Sequence, residues 1–222
     1  MSKPTTYVLL ATDVSGSMYA LADDVRGGYN AYLDDLGKDV DVASGELRDP
    51  REAVGIRYRV TSVLFNTGVT LLCTSAKPKD APRLDTGNYT PNGGTALLDA
   101  IGKVITDFEA AVLQLGADDR VLLVAQTDGQ ENSSREYTRE GIAKMIKDRE
   151  DAGKWAAIFM GAGPDTWQQA GSMGFSSSIA VAATGQGVSS SYEGLSRTSA
   201  AYAKGATRGA AVAESGLDVK SE

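Results

Sequence analysis

The sequence predicts an α/β domain: a mostly parallel central sheet with one antiparallel edge strand, and helices on both faces. Three observations carry this. Short continuous apolar runs recur along the chain, as in strands buried on both faces. Segments with apolar residues at three- and four-residue steps alternate with them. Two β-rich runs, 56–66 and 69–73, are separated only by Thr67-Gly68, which fits an antiparallel hairpin at the sheet edge. In a sheet of this kind, ligands bind beyond the carboxyl ends of the strands.

The elements follow in order. Tyr7 to Ala11 (YVLLA) is the first buried strand. From Ser17 to Leu36, the positions of Met18, Leu21, Val25, Tyr29, Tyr32 and Leu36 predict an amphipathic helix, weakened locally by Gly27-Gly28. Residues 37–55 have no clear period and form a long loop or insertion, and 74–94 form a second one. Leu98, Ile101, Ile105, Phe108, Val112 and Leu115 mark the next helix. RVLLVAQT (120–127) is a buried strand, Arg135 to Ala152 a charged helix, and WAAIFMGA (155–162) a further buried strand. A short helix from Pro164 to Met173, a weaker strand over 177–183 and a helix of small residues over 187–205 complete the domain. The domain is thus placed at 1–205, and the polar Ala/Gly-rich tail, 206–222, is expected to be disordered.

Composition limits the function. The chain has 222 residues, 42% hydrophobic and 23% charged, enough for one domain with a real core. Its net charge of −7 disfavours nucleic-acid binding, which needs a basic face. There is no histidine, which removes His-based triads, His general bases and most zinc sites. The one cysteine, Cys73, precludes an intramolecular disulfide and reads as a structural thiol. Without an apolar leader or a membrane-length apolar run, the expectation is a soluble cytoplasmic protein that meets no membrane.

Three loops leave the carboxyl end of the sheet carrying oxygen atoms. They are Asp13-Val14-Ser15-Gly16-Ser17, Gly93-Gly94-Thr95, and Thr127-Asp128-Gly129-Gln130-Glu131-Asn132. Two carboxylates and three hydroxyls suit a hard divalent cation such as magnesium. The alternate spacing of Asp13, Ser15 and Ser17 lets a turning loop aim all three side chains at one point, and Gly94 permits close approach of the second loop. A plainer reading stands beside this one. Ser15 or Ser17 could cap the first helix, Thr95 the next, and Asp128-Gly129 could be a simple turn. The convergence of three loops at the expected places favours the metal. Glu131 reads as a solvated loop acid, GAGPD (161–165) as a strand-to-helix turn with Asp165 toward the metal face, and Tyr29, Tyr32, Trp155 and Trp167 as packing residues.

DVSGSM, GGTALLDAI and VLLVAQTDG resemble, in order and separation, the three metal-site loops of the von Willebrand factor type A domain. GGYNAYL, TDGQENSSREYTR, FMGAGPD and SSIAVAATGQG are similar to a bacterial and phage single-domain subgroup. The resemblance implies a Rossmann-like fold with a metal-ion-dependent adhesion site. It implies Asp13, Ser15, Ser17, Thr95 and Asp128 as ligands of Mg2+, with Mn2+ or Ca2+ able to substitute. It also implies a protein partner that supplies Asp or Glu to the metal; no enzyme activity is expected, because histidine and the second acid of a phosphoryl-transfer site are missing. Two alternatives are a magnesium-dependent phosphoryl-transfer hydrolase and a permanent component of a larger assembly, such as a virion. The first lacks the second acid two residues after Asp13, where Ser15 stands.

Overall fold

The computed structural model of the chain describes residues 3–38, 40–41, 46–47, 57–162, 166–182, 184–216 and 219–221. Its strands are β1 (Thr5–Asp13), β2 (Val40–Asp41), β3 (Glu46–Leu47), β4 (Arg57–Phe65), β5 (Val69–Ala76), β6 (Arg120–Thr127), β7 (Trp155–Ala162), β8 (Ser177–Val181) and β9 (Val219–Ser221). Its helices are α1 (Ala22–Gly37), α2 (Leu97–Ala111), α3 (Arg139–Asp151), α4 (Thr166–Ser172), α5 (Gly185–Ala203) and α6 (Arg208–Ala213).

The main sheet runs β5-β4-β1-β6-β7-β8-β9. β4, β1, β6, β7 and β8 are mutually parallel, and β5 is the expected antiparallel edge. At the other edge, the short β9 adds a second antiparallel pairing, to β8. The chain builds outward from β1 to β4 and β5, then crosses to β6 on the other flank of β1. β1 and β6 therefore straddle the point where the strand order reverses, the usual position of a ligand crevice.

Alternation along β1 divides the core. Val8 and Leu10 face the layer of α1 and α5, while Leu9 and Ala11 face α2 and its neighbours. The first layer is rich in buried tyrosines whose hydroxyls all find partners. Tyr29 donates to Ser62 Oγ (3.0 Å), Tyr32 OH lies 2.7 Å from Ser199 Oγ, and Tyr192 donates to Gln126 Oε1 (2.7 Å). Each phenol is apolar bulk with one satisfied polar tip, so its burial leaves no orphaned group.

Several boundaries differ from expectation, each for a physical reason. The first helix starts late: Gly16–Leu21 is a 3-10 turn, and the α-helix begins at Ala22. The third begins at Arg139 rather than Arg135, because the N–H groups of Arg135, Glu136 and Tyr137 bond to the Asp99 carboxylate. The tail after residue 205 is not the disordered segment expected. It carries α6, with Ala211 and Val212 buried, and β9, and Arg197 donates to the carbonyls of Glu214 and Ser215. Two adjacent apolar residues among small ones give no readable period, which hid this helix. In the 37–55 insertion, β2 and β3 pair as a small separate ribbon. Asp165 and the side chain of Trp167 lie outside the described residues. Among the described residues, no helix is long and apolar enough to cross a membrane.

The Gly27-Gly28 pair separates two effects. Gly27 has open space where a Cβ would go, whereas a Cβ on Gly28 would overlap the buried Tyr192 ring. Gly27→Ala is therefore expected to raise stability by about 0.5–1 kcal/mol through helix propensity. Gly28→Ala is expected to lower it by about 1–3 kcal/mol through overpacking. Urea unfolding of both variants checks this, and equal effects would refute it.

Candidate metal centre

Parallel pairing of β1 with β6 sets Thr12 opposite Gln126, so Asp13 and Thr127-Asp128 leave neighbouring strand ends together. Asp13 is fully buried. Its Oδ1 accepts from Ser15 N (2.6 Å) and its Oδ2 from Thr127 Oγ1 (2.5 Å). The hydroxyls of Ser15 and Ser17 lie 3.1 Å apart, and Ser17 Oγ donates to Asp128 Oδ1 (2.6 Å). Thr95 joins from the second loop: a Cβ on Gly129 would stand 3.2 Å from Thr95 Oγ1 and 3.5 Å from Ser17 Oγ. All five residues predicted from the sequence thus converge on one spot, with Ser15 and Thr95 buried and Ser17 exposed.

The capping alternative does not survive. Ser15 stands at the N-cap of the 3-10 turn but makes no side-chain cap bond, and α2 is preceded by Ala96, not Thr95. The orphan donors at the start of α2 are met from elsewhere: Leu98 N donates to Glu131 Oε2 (3.0 Å), and Asp99 N to Ser134 Oγ (3.1 Å). The hydroxyls of Ser15 and Ser17 are left to face each other, with Thr95 Oγ1 across the space beside Gly129.

The three loops brace each other through backbone bonds. Gly16 N donates to Gly93 O (3.1 Å), Asn92 N to Val14 O (2.9 Å), and Asn132 N to Thr95 O (3.1 Å). Asn132 Oδ1 accepts from Thr95 N (2.9 Å). Gly93 has φ +73°, a left-handed conformation that favours glycine, and a Cβ on Gly94 would overlap the Ser133 hydroxyl. Beneath the site, the buried Tyr89 donates to the Asp13 carbonyl (2.6 Å), while Arg26 holds the Tyr89 carbonyl (3.1 Å).

Glu131 is not the solvated acid expected. Its carboxylate accepts from Leu98 N, Ser133 N, Ser134 N and Ser134 Oγ, tying the third loop to α2. Asp99 does the same from the helix side. Sequence reasoning passed over Asp99 and Tyr89, and it placed Thr127 and Asn132 in the third loop without giving them a role. The one signal was Asp99, an acid standing inside the apolar stripe of α2.

Burial pushes the Asp13 carboxyl up to about 6; the bonds from Thr127 and Ser15 oppose this, and Asp128 adds to it. None of the described ion pairs involves Asp13 or Asp128. Nor do three or more His, Cys, Asp or Glu gather anywhere among the described residues. The donors are therefore two carboxylates and neutral hydroxyls, all oxygen. This set fits a hard divalent cation in both chemistry and charge.

No family model matches the sequence, and no curated protein matches it. Solved structures resemble it. Proximal thread matrix protein 1 from the mussel byssus aligns with TM-score 0.57 at 13% identity, over 98% of this chain and 48% of that one. The open conformation of the pilus adhesin SpaC from Lactobacillus rhamnosus GG gives 0.59 at 13% identity, over 89% and 30%. The ArnB paralog VWA2 from Sulfolobus acidocaldarius gives 0.52 at 14% identity, over 87% and 45%. This chain spans less than half the length of each. The likeness is one of fold, the Rossmann-like von Willebrand factor type A architecture.

The raised Asp13 value has a stability consequence. The fold favours the neutral carboxyl. That contribution is complete below the ordinary value of 3.8 and is lost as pH rises through about 6. In chelator at pH 7.5, Asp13→Asn is expected to be more stable than wild type by about 1–3 kcal/mol, the gain fading toward pH 4. Denaturant unfolding at both pH values checks this; an Asn variant less stable at pH 7.5 would contradict it.

Proposed function

We propose that the chain is a protein-interaction module that depends on a divalent cation. Asp13, Ser15, Ser17, Thr95 and Asp128 hold magnesium, which manganese or calcium can replace, as a metal-ion-dependent adhesion site. A partner protein completes the coordination with an Asp or Glu side chain. The observation that carries this reading is the buried Asp13 carboxylate, beside Asp128 and converging hydroxyls, with no cationic side chain paired to either acid among the described residues.

The bound cation supplies an electrophilic position for a carboxylate oxygen. The chain's own residues do the rest. Asp13 and Asp128 offset its charge, while the serine and threonine hydroxyls add neutral oxygens and leave it attractive to another anion. The loop bonds through Gly93, Asn132 and Glu131 hold these donors in place before any partner arrives, which lowers the entropic penalty of binding. Ser17 faces solvent, and Tyr19, two residues on, is 79% exposed. An exposed aromatic ring beside a charged centre is the kind of side chain that a partner buries.

A catalytic role is disfavoured. The chain has no histidine, and both oxygens of Asp13 are already engaged beneath the surface, which leaves it unsuited to act as a general base. A single half-buried thiol, pushed up to about 11 by burial, accords with a reducing cytoplasm.

Immobilised protein is expected to retain a partner in magnesium and release it in EDTA, and Asp128→Ala is expected to retain none. Retention unaffected by EDTA would overturn the reading. With the partner in hand, Tyr19→Ala should weaken binding about tenfold while leaving magnesium affinity unchanged.

A further inference from the structure

We propose that the partner segment carries two acidic side chains, one for the metal and a second for Arg139 in an adjoining groove. This rests on the metal-dependent reading above and adds the identity of what binds. The groove, of about 390 Å3, is lined by Gln130, Glu131, Arg139, Gln168, Gln169 and Ser172. It opens two residues past Asp128 and is continuous with the metal loop. Gln169 Nε2 donates to Gly129 O (3.0 Å), Ser172 Oγ to Gln169 O (2.7 Å), and an Arg139 η-nitrogen to Ser172 Oγ (2.6 Å).

Arg139 is poised for an anion. Arg26, Arg83 and Arg149 pair with carboxylates, and the described bonds of Arg57, Arg59, Arg120 and Arg197 run to backbone carbonyls. Among the described residues, the half-buried Arg139 guanidinium bonds only the neutral Ser172 hydroxyl. Glu131, the one acid among the described residues that line the groove, does not answer it, since both Glu131 oxygens accept two N–H or O–H groups each from the third loop and α2. The remaining N–H groups of Arg139 form a planar fork that matches a carboxylate. The glutamine amides lining the groove each offer a donor and an acceptor, as an extended peptide backbone requires. On a chain of net charge −7, the open electrophilic position of the cation and the positive Arg139 set where an acidic segment can settle. The occupant is thus an extended protein segment with two Asp or Glu residues, spaced to reach from the metal to Arg139.

Short fluorescent peptides carrying one glutamate, or two at varied spacing, test this by anisotropy against the full chain in saturating magnesium. The best diacidic peptide is expected to bind about tenfold more tightly than the monoacidic one. Arg139→Gln should abolish that advantage, with monoacidic binding and magnesium affinity unchanged, and Arg139→Lys should keep part of it. Equal affinities for the two peptide classes overturn the proposal. So does a diacidic advantage that survives R139Q, or an absence of peptide binding to magnesium-saturated protein. Peptide binding indifferent to EDTA instead overturns the metal reading on which the proposal rests.

Discussion

The structure turns on two carboxylates held at neighbouring strand ends, with no positive side chain paired to either among the described residues. Asp13 lies fully buried at the end of β1, and Asp128 follows β6 one strand away. Burying an unpaired carboxylate is unfavourable, as the upward shift of Asp13 records. A fold does not retain such an arrangement for stability. The hydroxyls around it are also unusual: in most proteins, Ser and Thr at helix starts cap the helix. Here Glu131 and Ser134 meet the first N–H groups of α2, so Thr95 keeps its oxygen free for the cluster.

The braces that make this possible span the chain. Asp99 on α2 gathers three successive N–H groups of the third loop, while Glu131 on that loop reaches back to α2. This reciprocal clasp fixes loop two against loop three. Loop one is held from below by Tyr89, and across by the Gly16–Gly93 and Val14–Asn92 backbone bonds. Because the exposed side chains Ser17 and Tyr19 emerge from a scaffold fixed in this way, they present a defined face rather than a mobile one.

Much of this was legible in the sequence, and the rest was hidden for a reason. The apolar runs of β1, β6 and β7 and the stripe of α2 follow directly from periodicity. The placing of Asp13, Ser15, Ser17, Thr95 and Asp128 at one end of the sheet was legible from the loops, because each stands just past a strand or before a helix, and the family resemblance implied them as one ligand set. The interactions missed are long-range. Glu131 meets Leu98 across 33 positions and Asp99 meets Tyr137 across 38, so no local pattern announces them. The late start of α3 has the same origin, since its early N–H groups are captured by a distant acid. The helix in the tail escaped because its buried apolar content is only the pair Ala211-Val212, set among further small residues.

Isothermal titration of magnesium into metal-free protein at pH 7.5, with Asp13→Ala alongside, tests the central claim most directly. The account predicts saturable binding of about one equivalent by the wild type and none by the folded variant. A folded wild type that takes up no magnesium, or a variant that binds it as well as the wild type, would contradict the claim that the buried acid and its hydroxyls exist to hold a cation.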